Sequence, residues 1–171
     1  PTQNGEIPVC GKIVNYDFST FSAQIINGNS NFIVKYYASP TDALDDNNPI
    51  TAPTNINVAN NYTYAISYVD PNSPTSFLNQ CREFGQIKFI DKSFTLNPAT
   101  LTSCSNNGSG TATYDLSTAT VGAAPNHILK YYPSMYDLTN GTNEITNPYV
   151  FVSAEGSVFV KAINEFGCTA S

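Results

Sequence analysis

Ile33-Val34-Lys35-Tyr36-Tyr37-Ala38-Ser39 returns at a displacement of 95 (128 − 33) as Ile128-Leu129-Lys130-Tyr131-Tyr132-Pro133-Ser134. The displacement persists beyond the motif. Asp42, Ile50-Thr51 and Pro53 correspond to Asp137, Ile145-Thr146 and Pro148, and upstream Tyr16-Asp17-Phe18 corresponds to Tyr114-Asp115-Leu116. So many ordered matches identify a duplicated supersecondary unit. The chain of 171 residues is therefore two small domains rather than one of middle size. The join falls at Asp91-Lys92-Ser93, giving repeats 1–92 and 93–171 with only a few residues between them. A linker that short makes a semi-rigid rod.

Within each copy the apolar runs are short, β-branched or aromatic, and separated by turn residues. Strands are expected over 13–18, 32–37, 62–69 and 82–90, and again over 111–116, 127–132 and 158–163. Tyr62, Tyr64, Ile66 and Tyr68 alternate with Thr63, Ala65 and Ser67, the pattern of a strand with one apolar face. Asn27-Gly28, Asn107-Gly108 and Asn140-Gly141 supply turns that need positive φ. Ser39-Pro40-Thr41-Asp42 and Ser134-Met135-Tyr136-Asp137 are helix starts, with Ser as cap and an acid three residues later that can bond back. Capping makes Asp42 and Asp137 structural. The expected fold class is all-β, two tandem immunoglobulin-like or fibronectin-like sandwiches. After Cys81 the chain continues through Phe84, Ile87, Phe89 and Ile90, but after Cys168 only Thr169-Ala170-Ser171 follow, so the second sandwich is expected to lack its last strand.

Four cysteines, Cys10, Cys81, Cys104 and Cys168, stand one early and one late in each half. None has the Cys-x-x-Cys spacing of a zinc or redox site, and four allow three connectivities. Repeat symmetry favours Cys10 with Cys81 and Cys104 with Cys168. Each such bridge would contribute roughly 4 kcal/mol by chain entropy, and oxidised cysteines imply a periplasmic or extracellular setting.

Charge excludes other partners. With seven Lys and Arg against thirteen Asp and Glu, a formal charge of −6, the chain cannot neutralise a phosphate backbone or dock on an anionic membrane. No stretch approaches the roughly 20 apolar residues of a membrane span, and Pro1-Thr2-Gln3-Asn4-Gly5 has no signal-peptide pattern.

Catalysis lacks its parts. The single imidazole, His127, adjoins a strand, and the neighbouring acids Asp45 and Asp46 point apart on an extended chain. No enzyme and no cofactor are expected. Calcium is the metal to consider, with Asp45, Asp46 and Asp70 as candidate ligands, although the ordered spacing of a calcium loop is missing. The Asn-x-Ser/Thr matches at Asn61, Asn107 and Asn140 are expected by chance in so Asn-rich and Thr-rich a chain. Phe77, in the Asp70 to Gln80 loop, offers either an aromatic contact for a ligand or a plug for the end of the sandwich.

The motif set Tyr114-Asp115-Leu116, Leu129 to Ser134, Asp137, Ile145-Thr146-Asn147-Pro148 and Gly167-Cys168 resembles the repeat of giant secreted surface proteins of Bacteroidetes. The first repeat matches at Tyr16-Asp17-Phe18, Val34 to Ser39, Asp42 and Asn48 to Thr51. Those proteins are adhesins and gliding-motility surface proteins exported by the type IX pathway. The resemblance covers nearly the whole chain and rests on packing motifs. It departs from immunoglobulin domains in lacking the strand-C Trp and in placing the second cysteine of each pair after a turn. It implies an extracellular, cell-surface structural or adhesive module that spaces a binding region. Its partners would be neighbouring repeats of one long chain, together with a surface polysaccharide or protein ligand. The alternative is a carbohydrate-binding accessory sandwich of a secreted polysaccharide-degrading enzyme, which an exposed aromatic platform would favour.

Overall fold

The computed structural model describes residues 6–70, 72–73 and 81–171. The chain divides into two compact units, Pro1–Lys92 and Ser93–Ser171. Both are built mostly of strands in open sheets, with a few short helices.

The first unit opens with β1 (Glu6–Val9) and β2 (Ile13–Tyr16). The chain leaves β2 at Asp17, whose carboxylate accepts from the Ser19 amide at 2.9 Å and caps a 3-10 turn over Phe18–Phe21. This cap ends the strand two residues earlier than the apolar pattern suggests. Helix α1 (Ser22–Ile25) leads to β3 (Phe32–Tyr37), followed by α2 (Pro40–Asp45), β4 (Thr54–Asn57), β5 (Asn61–Tyr68) and β6 (Arg82–Asp91). One sheet has the order β1-β6-β5-β3, and a second pairs β2 with β4. β1 runs parallel to β6, while the other pairs are antiparallel. The phenyl ring of Phe18 sits 5.3 Å from those of Tyr36 and Tyr62 and 5.7 Å from Phe89. Ile7, Val9, Phe21, Ile56 and Ile87 complete that buried cluster. On the opposite face of β5, Ala65 packs with Tyr37 and with Ala43 of α2. Both faces of β5 are therefore covered, which the alternation in its sequence does not reveal.

The second unit repeats the order in shorter pieces. β7 (Ala112–Tyr114) enters a 3-10 turn over Leu116–Thr118 capped by Asp115. Then follow β8 (Ile128–Tyr132), α3 (Met135–Asn140), β9 (Phe151–Ser153), β10 (Phe159–Ile163) and β11 (Thr169–Ala170). Its sheets have the orders β11-β10-β8 and β7-β9. Asn27, Gly28, Asn107 and Gly108 take the positive φ that their turns need, whereas Asn140 is helical and Gly141 alone is left-handed, closing α3.

Duplication extends to single hydrogen bonds. The Ile50 amide donates to the Tyr36 carbonyl at 2.7 Å, and the Ile145 amide to that of Tyr131 at 2.8 Å. Ser39 and Ser134 cap α2 and α3 by accepting from the amides of Asp42 and Asp137. Lys35 pairs with Asp46 and Lys130 with Glu144, both at 2.8 Å.

Candidate functional site

The cysteines carry the chemistry of this chain, and strand register classifies them. In the first unit Ile33 of β3 faces Ser67 of β5, which faces Arg82, the first residue of β6. In the second unit Ile128 of β8 faces Ile163 of β10, which faces Thr169, the first residue of β11. Cys81 and Cys168 precede Arg82 and Thr169, so they occupy one register position in the two repeats. Gly167, at φ 81°, closes the turn before Cys168, and the Cys168 amide donates to Asn164 Oδ1 at 2.9 Å. Cys10 directly follows β1, and Cys104 adjoins Ser105, which bridges to Ala112 of β7.

Cys10 and Cys168 are disulfide-bonded, whereas Cys81 and Cys104 are free, exposed thiols. The pairing expected from symmetry, Cys10 with Cys81 and Cys104 with Cys168, is thus not the one present. That expectation treats each repeat as a closed object, and the free thiols of Cys81 and Cys104 exclude it.

The family model of the Flavobacterium inter-domain disulphide bond domain matches twice, over residues 6–94 and 100–171. The chain belongs to this family. It is a tandem pair of inter-domain-disulphide domains from the Bacteroidetes, and each copy spans nearly all of one unit. Cys10 and Cys104 each stand four residues after the first matched residue, so the early cysteines correspond as the late ones do. No curated protein and no solved structure matches the chain.

The remaining candidates are held in structural roles. Asp46 accepts from Lys35 Nζ at 2.8 and 2.9 Å and from the Tyr37 hydroxyl, and these two donors hold its carboxyl below the usual range. Asp46 also takes a left-handed conformation, φ 52°, at the C-terminus of α2. Asp45 ends that helix, and the Asp70 carboxylate accepts from the Asn72 amide at 2.9 Å. Among the described residues no three His, Cys, Asp or Glu side chains gather as metal ligands. Asp42 accepts from the Ser39 hydroxyl, and Asp137 accepts from Ser134, Thr142 and Asn143. Those donors, Ser134 foremost, hold the Asp137 carboxyl below its ordinary value. The His127 ring lies 4.3 Å from that of Phe94, tilted by 50°, with a buried Nδ1 that has no hydrogen-bond partner. A shallow cleft in the first unit exposes Asp17 and Lys35, one committed to a turn cap and the other to Asp46. Among the described residues no helix is long and apolar enough to cross a membrane. Phe77 lies outside the described residues.

Proposed function

We propose that the chain is a non-catalytic structural and adhesive module of a large cell-surface protein, with immunoglobulin-like repeats locked to their neighbours by disulfides. Cys10–Cys168 is then the inter-domain bridge. The supporting observation is that each bonded cysteine lies in a different family copy, while its counterpart in the other copy is free. A bond so placed does nothing for chemistry and much for mechanics. Tension applied to the chain bypasses the roughly 160 residues between the two sulfurs. Oxidised cysteines fit an extracellular location, reached by type IX export in this reading. Solubility carried by Asn, Thr and Ser instead of charge fits the same setting. No cofactor is needed. Asp17, Ser22, Lys35 and Tyr36 of the first unit's cleft are already committed to a cap and to pairs, which leaves no acid–base couple for hydrolysis.

Single-molecule stretching tests this reading. Without reductant, pulling on the termini should release none of the bypassed contour, roughly 50–60 nm at 3.3–3.6 Å per residue. With reductant, two unfolding steps should release it. Release of the full contour without reductant would reject the mechanical role.

A further inference from the structure

Asn-Gly pairs begin at Asn4, Asn27, Asn107 and Asn140, and the last three lie among the described residues. Such a pair carries its own nucleophile, because the glycine nitrogen stands next to the asparagine side-chain carbonyl with no Cβ to shield it. Reaction needs two groups at liberty: the glycine N–H, which gives up its proton, and the side-chain amide, which leaves. All three asparagines are exposed, so access to water does not distinguish them. Hydrogen bonding does. At the end of α3 both groups are held, Asn140 Nδ2 by the Tyr136 carbonyl at 2.8 Å and the Gly141 N–H by the Asp137 carbonyl. At Asn27 one is held, the Gly28 N–H donating to the Ala23 carbonyl at 3.0 Å. Asn107 and Gly108 are the central residues of a turn, at φ 51° and 72°, which the Ser109 amide closes by donating to the Asn106 carbonyl at 2.9 Å. Among the described residues neither the Gly108 N–H nor the Asn107 side chain has a hydrogen-bond partner.

We infer that Asn107 is a site of spontaneous covalent modification in the folded protein, converting to aspartate and isoaspartate, while the fold protects Asn27 and Asn140. Hydroxide removes the Gly108 amide proton, and the nitrogen attacks Asn107 Cγ. The N–Cγ bond forms as the Cγ–Nδ2 bond breaks, and ammonia leaves with a proton taken from water. The cyclic imide that remains is opened by a water molecule. Opening at Cγ gives aspartate, and opening at the backbone carbonyl gives isoaspartate. The net change consumes water and releases ammonia, with no oxidant or reductant. Either product places a negative charge on the turn, and isoaspartate also lengthens its backbone by one carbon. The same turn joins Ser105 to its bridge partner Ala112, and Asn106 beside it bonds the Thr113 hydroxyl. Modification therefore acts on the entry to β7, within the second unit.

Incubation of the purified chain at mildly alkaline pH, with peptide mapping at intervals, reads each Asn-Gly pair separately. In the folded chain Asn107 should convert at least about tenfold faster than Asn27 and Asn140, which react only after a local opening frees their held groups. In concentrated guanidinium with reductant the three should convert at nearly equal rates. Labelling by an isoaspartate methyltransferase should mark the peptide that contains Asn107, and Asn107→Gln should remove that label, because the longer side chain closes its ring far more slowly. Conversion at Asn107 no faster than at Asn27 and Asn140 in the folded chain would overturn the inference. So would an undiminished label on the same peptide of Asn107→Gln, or an advantage of Asn107 that persists unchanged in guanidinium.

Discussion

Tyr37 is fully buried, and its hydroxyl donates to Asp46, which also holds Lys35. Burial, then the bond and charge of Asp46, pushes its pKa up to about 12. The folded state thus retains a proton that the unfolded chain releases near 10, so the stabilisation is complete below 10 and is lost as pH rises from 10 to 12. Across that whole range the loss from Tyr37 should be about 2–3 kcal/mol, and Tyr37→Phe should remove its share of the alkaline slope, leaving that of Tyr16, Tyr36 and Tyr131, while costing about 1 kcal/mol at neutral pH. Urea denaturation at pH 8 and 11, where about half of that loss is reached, checks both. Asp46 has the opposite sign: its contribution is present above the ordinary carboxylate range and fades as pH falls through its lowered value. Gly85 is a second position where one residue decides local structure. It faces Tyr64 across β5 and β6, and a Cβ there would lie 2.2 Å from the Tyr64 ring. The ring covers the glycine, so Gly85→Ala must displace it and should cost about 1–3 kcal/mol by thermal melting.

Helices α2 and α3 hold only six residues each and cannot persist on intrinsic propensity. Their serine caps make up part of the deficit, and Arg82 adds another part in α2 by donating to the carbonyls of Ala43 and Leu44. Ser39→Ala and Ser134→Ala should each cost about 1 kcal/mol in denaturant unfolding. At this scale much was legible. Ser-x-x-Asp marked both helix starts, and Phe32–Tyr37 gave β3 with its full span, because tyrosine and β-branched residues there face both core and solvent. β1, β4, β9 and β11 fall outside the expected strands. Each is two to four residues long, too short for a period to register; β11 stands where the last strand was expected to be missing, and Pro8 argues against a strand unless it lies at an edge, where β1 does. The 3-10 turns after Tyr16 and Tyr114 were masked by apolar residues that continue the strand pattern, although Asp17 and Asp115 are their signal.

Across the molecule, sequence could locate the four cysteines but not pair them, because both schemes respect the repeat. Closing each repeat on itself satisfies the duplication, and so does joining each repeat to the next. Local signals such as turn residues are silent on bonds between residues far apart in the chain. Mutational coupling distinguishes the schemes without reference to coordinates. If Cys10 and Cys168 share one bond, Cys10→Ala and Cys168→Ala remove the same cross-link. Each should then cost about 5 kcal/mol at most on the chain-entropy estimate for a loop of roughly 160 residues. The double variant should be no less stable than the worse single one, apart from the small packing loss at buried Cys168. Cys81→Ala and Cys104→Ala, at exposed thiols, should change stability by no more than about 0.5 kcal/mol. Two intra-repeat bonds would give a different pattern: four costly variants, each confined to the melting of its own unit, with Cys10 and Cys168 effects adding in full. Differential scanning calorimetry on the six proteins, wild type included, separates these outcomes, and additive losses for Cys10 and Cys168 would rule out the shared bond.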